Sequence, residues 1–159
     1  MSAAGLQLQR FLPYRLSVLT NLVSSAIAAE YSQRFGLGIP EWRVLAVLAA
    51  EPGLSAAQVA ARTAMDKVAV SRAVSRLLAR GRLERRMAPG DRRKSLLSLS
   101  GEGAKIYAEV VPLALRLEHA LLEVLDQGDR HAFERIIDRL LEHARTLAQS
   151  LAQHRTEDR

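Results

Sequence analysis

The stretch Asp66-Lys67-Val68-Ala69-Val70-Ser71-Arg72-Ala73-Val74-Ser75-Arg76-Leu77-Leu78-Ala79-Arg80-Gly81 decides the fold. Val70, Val74, Leu77 and Leu78 recur at helical spacing and form one apolar face, and Gly81 closes the helix. Upstream, Ser55-Ala56-Ala57-Gln58 is a capping box, in which the serine accepts an early backbone N–H and the glutamine reaches back. A short helix follows to about Arg62, and its small residues Ala56, Ala57, Ala60 and Ala61 permit a close helix crossing. Thr63 and Asp66 both qualify as the cap of the next helix, and either choice leaves a turn of about three or four residues. Downstream, Leu83, Arg85 and Met87 alternate with Arg82, Glu84 and Arg86, as in a strand, and residues 95–99 return. Pro89-Gly90-Asp91 supplies the turn, and Arg92, Arg93 and Lys94 make a basic tip. Helix, turn, helix and hairpin in this order are a winged helix-turn-helix, which sets one helix in the DNA major groove.

Charge points the same way. The chain carries a net +6. Residues 54–100 hold eleven Lys/Arg against three Asp/Glu, a balance of +8, and the rest of the chain balances at −2. A basic module on a near-neutral scaffold is the footprint of phosphate binding. A merely solubilising surface is the competing explanation, and the coincidence of charge with the fold of a DNA reader argues against it.

The flanks read as helical scaffold. Pro13 suits a first helical turn, and Leu12, Leu16, Leu19, Val23, Ala26, Ile27 and Tyr31 carry an apolar stripe toward a stop near Gly36. Pro40-Glu41 starts another helix, with Trp42, Leu45, Leu48 and Ala49 on one face, and Pro52-Gly53 end it. After Ser100 a long helix runs to about Leu125, apolar at Ile106, Val110, Leu113, Leu117, Ala120, Leu121 and Val124, with Pro112 inside to kink it or remove one hydrogen bond. Asp129 then caps a last helix. Its stripe of Phe133, Ile136, Ile137, Leu140, Leu141, Ala144, Leu147, Ala148 and Leu151 is the strongest in the chain. Terminal helices this apolar in a small chain predict a dimer face, with an intramolecular bundle as the alternative.

The expected fold is therefore mainly α with a small β-hairpin wing, a winged helix-turn-helix with long N- and C-terminal dimerisation helices. The expected segments are 1–36 (dimerisation helix), 37–100 (DNA-binding domain), 101–153 (dimerisation helices) and 154–159 (disordered tail). On the helix of residues 66–80, the buried face leaves Lys67, Val68, Ala69, Ser71, Arg72, Ser75 and Arg76 toward solvent. Arg72 suits a guanine edge, Ser71 a base or a phosphate, and Val68 or Ala69 a thymine methyl. Lys67 and Arg76 suit phosphates. Ser55 and Gln58, at the start of the preceding helix, complete the expected DNA-contacting set on the helices. Arg92, Arg93 and Lys94 can enter a narrow minor groove, and Asp91 can hold one of the arginines.

These residues resemble the MarR family of bacterial transcription regulators. The likeness runs through Ile39-Pro40-Glu41-Trp42-Arg43-Val44-Leu45, Met65-Asp66-Lys67, Val70-Ser71-Arg72, Arg76-Leu77 and Gly81. Its most specific piece is the Asp-x-Arg wing Asp91-Arg92-Arg93, running into Leu97-Ser98-Leu99-Ser100 and Gly103. The resemblance implies an obligate homodimer on a pseudo-palindromic double-stranded operator, with Arg93 in the minor groove, Asp91 bracing it and residues 66–80 in the major groove. It also implies a crevice for a small anionic aromatic effector, and Arg15, Trp42 and Arg43 are the candidate lining residues. Family members often carry threonine where Ser100 stands, and serine caps equally well.

Several classes fall away. Without cysteine the chain has no disulfide, no thiolate nucleophile and no cysteine-based redox sensing. His119, His131, His143 and His154 lack the spacing of a zinc site. No glycine-rich phosphate loop or catalytic triad stands out, so neither an enzyme nor a cofactor is expected. No run is apolar enough to span a membrane, and residues 1–10 lack a signal-peptide pattern, which fits a cytoplasmic location. The expected function is a sequence-specific regulator, a dimeric repressor released by an effector resembling an aromatic or phenolic acid. An effector-independent or architectural DNA binder, and a helical protein–protein adaptor, remain the alternatives.

Overall fold

The computed structural model describes residues 5–88 and 91–157, with side chains for residues 5–87 and 95–154. After a single 3-10 turn at Leu8–Arg10 come helices α1 (Leu12–Phe35), α2 (Ile39–Ala50), α3 (Ala56–Thr63) and α4 (Lys67–Ala79). Strands β1 (Leu83–Ala88) and β2 (Asp91–Leu99) follow, then α5 (Gly101–Leu122) and α6 (Gln127–Glu157). The mainly α architecture with one antiparallel hairpin is the expected one.

Local chemistry sets most boundaries. Pro13 sits in the first turn of α1, and Gly36 ends that helix in the left-handed conformation at φ 59°. The Ser55–Gln58 box forms in both directions: Gln58 Oε1 accepts the Ser55 N–H at 2.9 Å, and Ser55 Oγ accepts the Gln58 N–H at 3.3 Å. Of the two possible caps for α4, Asp66 is the one used; its Oδ1 accepts the N–H groups of Val68 and Ala69 at 2.8 and 3.2 Å. Thr63 instead turns its hydroxyl back onto the Val59 carbonyl at 2.8 Å, and Ala64 takes the left-handed step between the helices at φ 53°.

Three expectations shift. The last helix is capped by Asp126, whose Oδ1 accepts the Asp129 N–H at 2.8 Å; Asp129 lies inside the first turn. The return strand begins at Asp91, four residues earlier than alternation alone suggested. Leu78 is only half-buried, and Ala73 takes a place on the buried face of α4 instead. In addition, α5 ends at Leu122 and runs through Pro112, and α6 continues to Glu157, into the stretch read as a tail.

Two compact units divide the chain, residues 1–117 and 118–159. In the first, α2, α3 and α4 pack around Val44, Leu45, Leu48, Val59, Val70, Val74 and Leu77, all essentially inaccessible. The hairpin pairs Leu83 with Leu99 and Arg85 with Leu97, with an irregularity between Met87 and Ala88. Leu54 adds a one-residue bridge to Leu97, closed by Gly53 N–H to Leu97 O and Leu97 N–H to Leu54 O, both 2.8 Å. Tyr31, Ile106 and Val110 bring α1 and α5 onto this core. In the second unit no described residue is buried. Among the described residues, no helix is long and apolar enough to cross a membrane.

Candidate nucleic-acid interface

One face of α4 is built to look outward. Val70, Ala73, Val74 and Leu77 are buried, so helical geometry turns Lys67, Val68, Ser71, Arg72, Ser75 and Arg76 to the opposite side, and all six are exposed. Val68 leaves 56% of its surface uncovered, unusual for a valine beside a close-packed core. Ala69 is half-buried at the edge of this face. Ser55 is half-buried and Gln58 exposed at the start of α3, where each side chain already serves the other's backbone. Asp66 satisfies two of the free N–H groups at the start of α4 and so fixes the end of the helix that leads the exposed face.

The basic residues sort into spent and free charges. Arg62 is held by Glu51 through contacts of 2.9 to 3.1 Å; that hydrogen bond pulls the Glu51 carboxyl below its ordinary value and raises the guanidinium. Arg76 Nη1 donates to Glu41 Oε1 at 3.0 Å, while 68% of the Arg76 side chain remains exposed. Arg80 donates to the carbonyl of Gly36 and Arg82 to that of Phe35, so two cations close the C-terminus of α1. Burial, with Arg80 adding to it, lowers the Arg82 guanidinium from its usual value. Arg86 pairs with Glu84 at 3.3 Å on β1. Among the described residues, Lys67 and Arg72 have no ion-pair partner, and they stand on the face of α4 that carries the polar side chains.

Glu41, Arg80 and Arg82 are the residues that sequence reasoning assigned no such part. Glu41 looked like an ordinary acid in a first helical turn, and Arg80 and Arg82 counted only toward the basic excess. Asp91, Arg92, Arg93 and Lys94 have side chains outside the described residues, so the expected pairing of Asp91 with an arginine lies outside them too.

The three candidate effector residues separate. Trp42 is half-buried between Tyr31, at a centroid distance of 5.8 Å, and Tyr107, stacked at 5.6 Å. Arg43 Nη2 donates to Ser24 Oγ at 3.1 Å. Tyr31 is buried, and burial pushes its hydroxyl up to about 12, against the pull of Arg43 and with a smaller push from Glu41. Arg15 is exposed, nine residues before Ser24 on α1 and so roughly 13 Å away along the axis. Within one chain, then, Trp42 and Arg43 share a neighbourhood that Arg15 does not enter.

A capped helix pair, an outward polar and basic face on its second helix and a hairpin behind it define a DNA-binding winged helix-turn-helix. Residues 35–94 match the sequence model of the MarR family. The chain is 29% identical to the PcaV transcriptional regulator from Streptomyces coelicolor, solved in complex with its natural ligand. That alignment covers 89% of this chain and 99% of the other, with a TM-score of 0.72. It is 28% identical over 88 residues to the HTH-type transcriptional repressor NicR from Pseudomonas putida, spanning 55% of this chain and 56% of that protein. A mutant MarR from E. coli complexed with operator DNA shares the fold at a TM-score of 0.73, with 22% identity over 87% of this chain and 99% of that one. The chain belongs to the MarR family and is a DNA-binding transcriptional regulator.

Proposed function

We propose that the protein is a homodimeric repressor that reads a pseudo-palindromic operator and is released by a small anionic aromatic molecule. One observation carries the dimer. A helix of 31 residues, α6, has no buried described residue, yet Phe133, Ile136, Leu140, Leu141, Leu147 and Leu151 are each at least 41% exposed. An apolar stripe of that length left in water would be a liability, and a second copy offers the same stripe for burial. The first half of α1 leaves Leu12, Leu16 and Leu19 uncovered in the same way.

On the DNA, the outward face of α4 enters the major groove. Arg72 takes a base edge, Lys67 and Arg76 take phosphates, and Ser71, Ser75, Val68 and Ala69 fill the contact surface, with Ser55 and Gln58 at its border. Arg92, Arg93 and Lys94 follow the minor groove from the wing, with Asp91 bracing Arg93. The effector reading rests on the aromatic wall of Trp42 and Tyr107 beside the Arg43 guanidinium, a set that suits a ring bearing a carboxylate. Release follows if the effector favours a dimer whose two α4 helices no longer match successive turns of the duplex.

The test measures mass in solution, DNA binding and release together. The wild-type protein should run as a dimer, and Leu140→Lys combined with Leu147→Lys should give monomers that bind DNA weakly. A double variant that stays dimeric on DNA removes α6 from the interface. Titration with benzoate-like acids should release the DNA, and Arg43→Ala should blunt that response; an unchanged response takes Arg43 out of the site.

A further inference from the structure

Glu41 is the one buried charged residue among those described, and its carboxylate is shared between two elements. Oε2 accepts the Gly38 N–H at 2.9 Å and so caps α2. Oε1 accepts from Arg76 Nη1, across 35 residues of sequence. The two side chains differ sharply in exposure, 6% for Glu41 and 68% for Arg76. A buried acid therefore grips one corner of a guanidinium whose other N–H groups face outward, on the same side of α4 as Lys67 and Arg72. A guanidinium is a rigid fork, so holding one nitrogen fixes the direction of the remaining donors. Gly38 permits the arrangement: a Cβ there would lie 2.4 Å from Glu41 Oε2.

We propose that Glu41 is a positioning residue for DNA binding, holding Arg76 so that its outward N–H groups meet one backbone phosphate at a fixed place. The proposal rests on the reading of α4 as the helix that enters the groove. Glu41 does not touch DNA; it lowers the ordering cost of the arginine that does, and it ties the docking of α4 to the start of α2.

A double-mutant cycle tests this, with a duplex that the wild-type protein has selected from a random pool as the probe. Glu41→Gln keeps an oxygen for the Gly38 N–H and removes the charge that holds Arg76. It should weaken binding about fivefold, the weight of one charge-assisted hydrogen bond at a half-wet site. Arg76→Ala should weaken binding and lower the slope of log affinity against log salt by about 0.9, the signature of one lost phosphate contact. Once Arg76 is alanine, Glu41→Gln should cost nothing further. Gly38→Ala displaces the carboxylate without removing its charge, and serves as the second variant if Glu41→Gln fails to fold. It too should act only while Arg76 is present.

Equal losses from Glu41→Gln with and without Arg76 overturn the proposal in favour of a purely structural role. Unchanged binding by Glu41→Gln overturns it directly. An Arg76→Ala protein with wild-type affinity and slope removes the phosphate contact and the proposal with it. Failure of the underlying reading looks different, because the wild-type protein would then select no duplex.

Discussion

Replacing Gly103 with alanine sets helix propensity against packing. Alanine in a helix is favoured over glycine by about 1 kcal/mol, and Gly103 lies in the first turn of α5, so propensity alone predicts a more stable protein. The site has no room for it. An added Cβ would lie 2.0 Å from the Arg82 carbonyl oxygen and 3.1 Å from its carbonyl carbon. A carbon and a carbonyl oxygen approach to about 3.3 Å, so α5 and the α4–β1 junction would have to separate by roughly 1.3 Å. That junction is tied. The Ser100 N–H donates to Arg82 O at 3.1 Å, the Ser100 hydroxyl donates to Gly81 O at 2.6 Å, and Ser100 Oγ accepts the Gly103 N–H at 3.0 Å. Forced separation costs about 1–3 kcal/mol in overpacking, and about 1 kcal/mol more for each hydrogen bond stretched out of range. Against the propensity gain, the net loss is about 2–3 kcal/mol, or roughly 5–10 °C in Tm for a chain of this size. Thermal and urea unfolding at one fixed protein concentration measure it. Gly101→Ala is the control, since its Cβ would meet nothing within 4 Å. A Gly103→Ala protein as stable as the wild type, or more so, would refute the reasoning about this junction.

Three further outcomes follow from the same structure. Asp66→Ala removes the acceptor for two N–H groups at the head of α4 and should cost about 1 kcal/mol by urea unfolding, with a loss of DNA affinity greater than that of an equally destabilising core variant. Tyr31 stays protonated in the folded chain up to about pH 12 but ionises near its ordinary value of 10 when unfolded. Its contribution to stability is therefore complete below pH 10 and declines between pH 10 and 12; Tyr31→Phe should flatten that part of the urea midpoint against pH, and an unchanged curve contradicts the assignment. Arg72→Ala should relax preference at a single base step while leaving binding to random DNA nearly intact; equal losses on both would make Arg72 a phosphate contact.

Signals confined to a few neighbouring residues were the legible ones. The Ser55–Gln58 box, the Gly36 stop and the apolar faces of α2 and α4 each depend on residues within about one or two helical turns, and each lies where the pattern put it. The cap of α4 stayed open because Thr63 and Asp66 both have the right chemistry; a left-handed step at Ala64 settles it for Asp66. Asp126 and Asp129 posed the same ambiguity at α6, and the nearer acid to the loop takes the cap. Contacts across long separations left no trace in the pattern. Nothing local tells that Glu41 meets Arg76, or that Arg80 and Arg82 close the end of α1. The basic excess of residues 54–100 therefore pointed to the correct module but overstated the charge free to meet phosphate, since Arg62, Arg76, Arg80, Arg82 and Arg86 all have partners inside the chain. The α1 stripe was also only half informative: Ile27 and Tyr31 pack on the core, while Leu12, Leu16 and Leu19 stay exposed. Helical spacing shows that a face is apolar, and it does not show which molecule covers it.

The most direct measurement is selection of bound duplexes from a random pool at near-physiological salt, since affinity at low salt would report charge alone. The account predicts recovery of an inverted repeat, with half-site centres about 10 base pairs apart and one bound dimer per site. Recovery of duplexes without a common motif, bound with an affinity that collapses as salt rises, would contradict it.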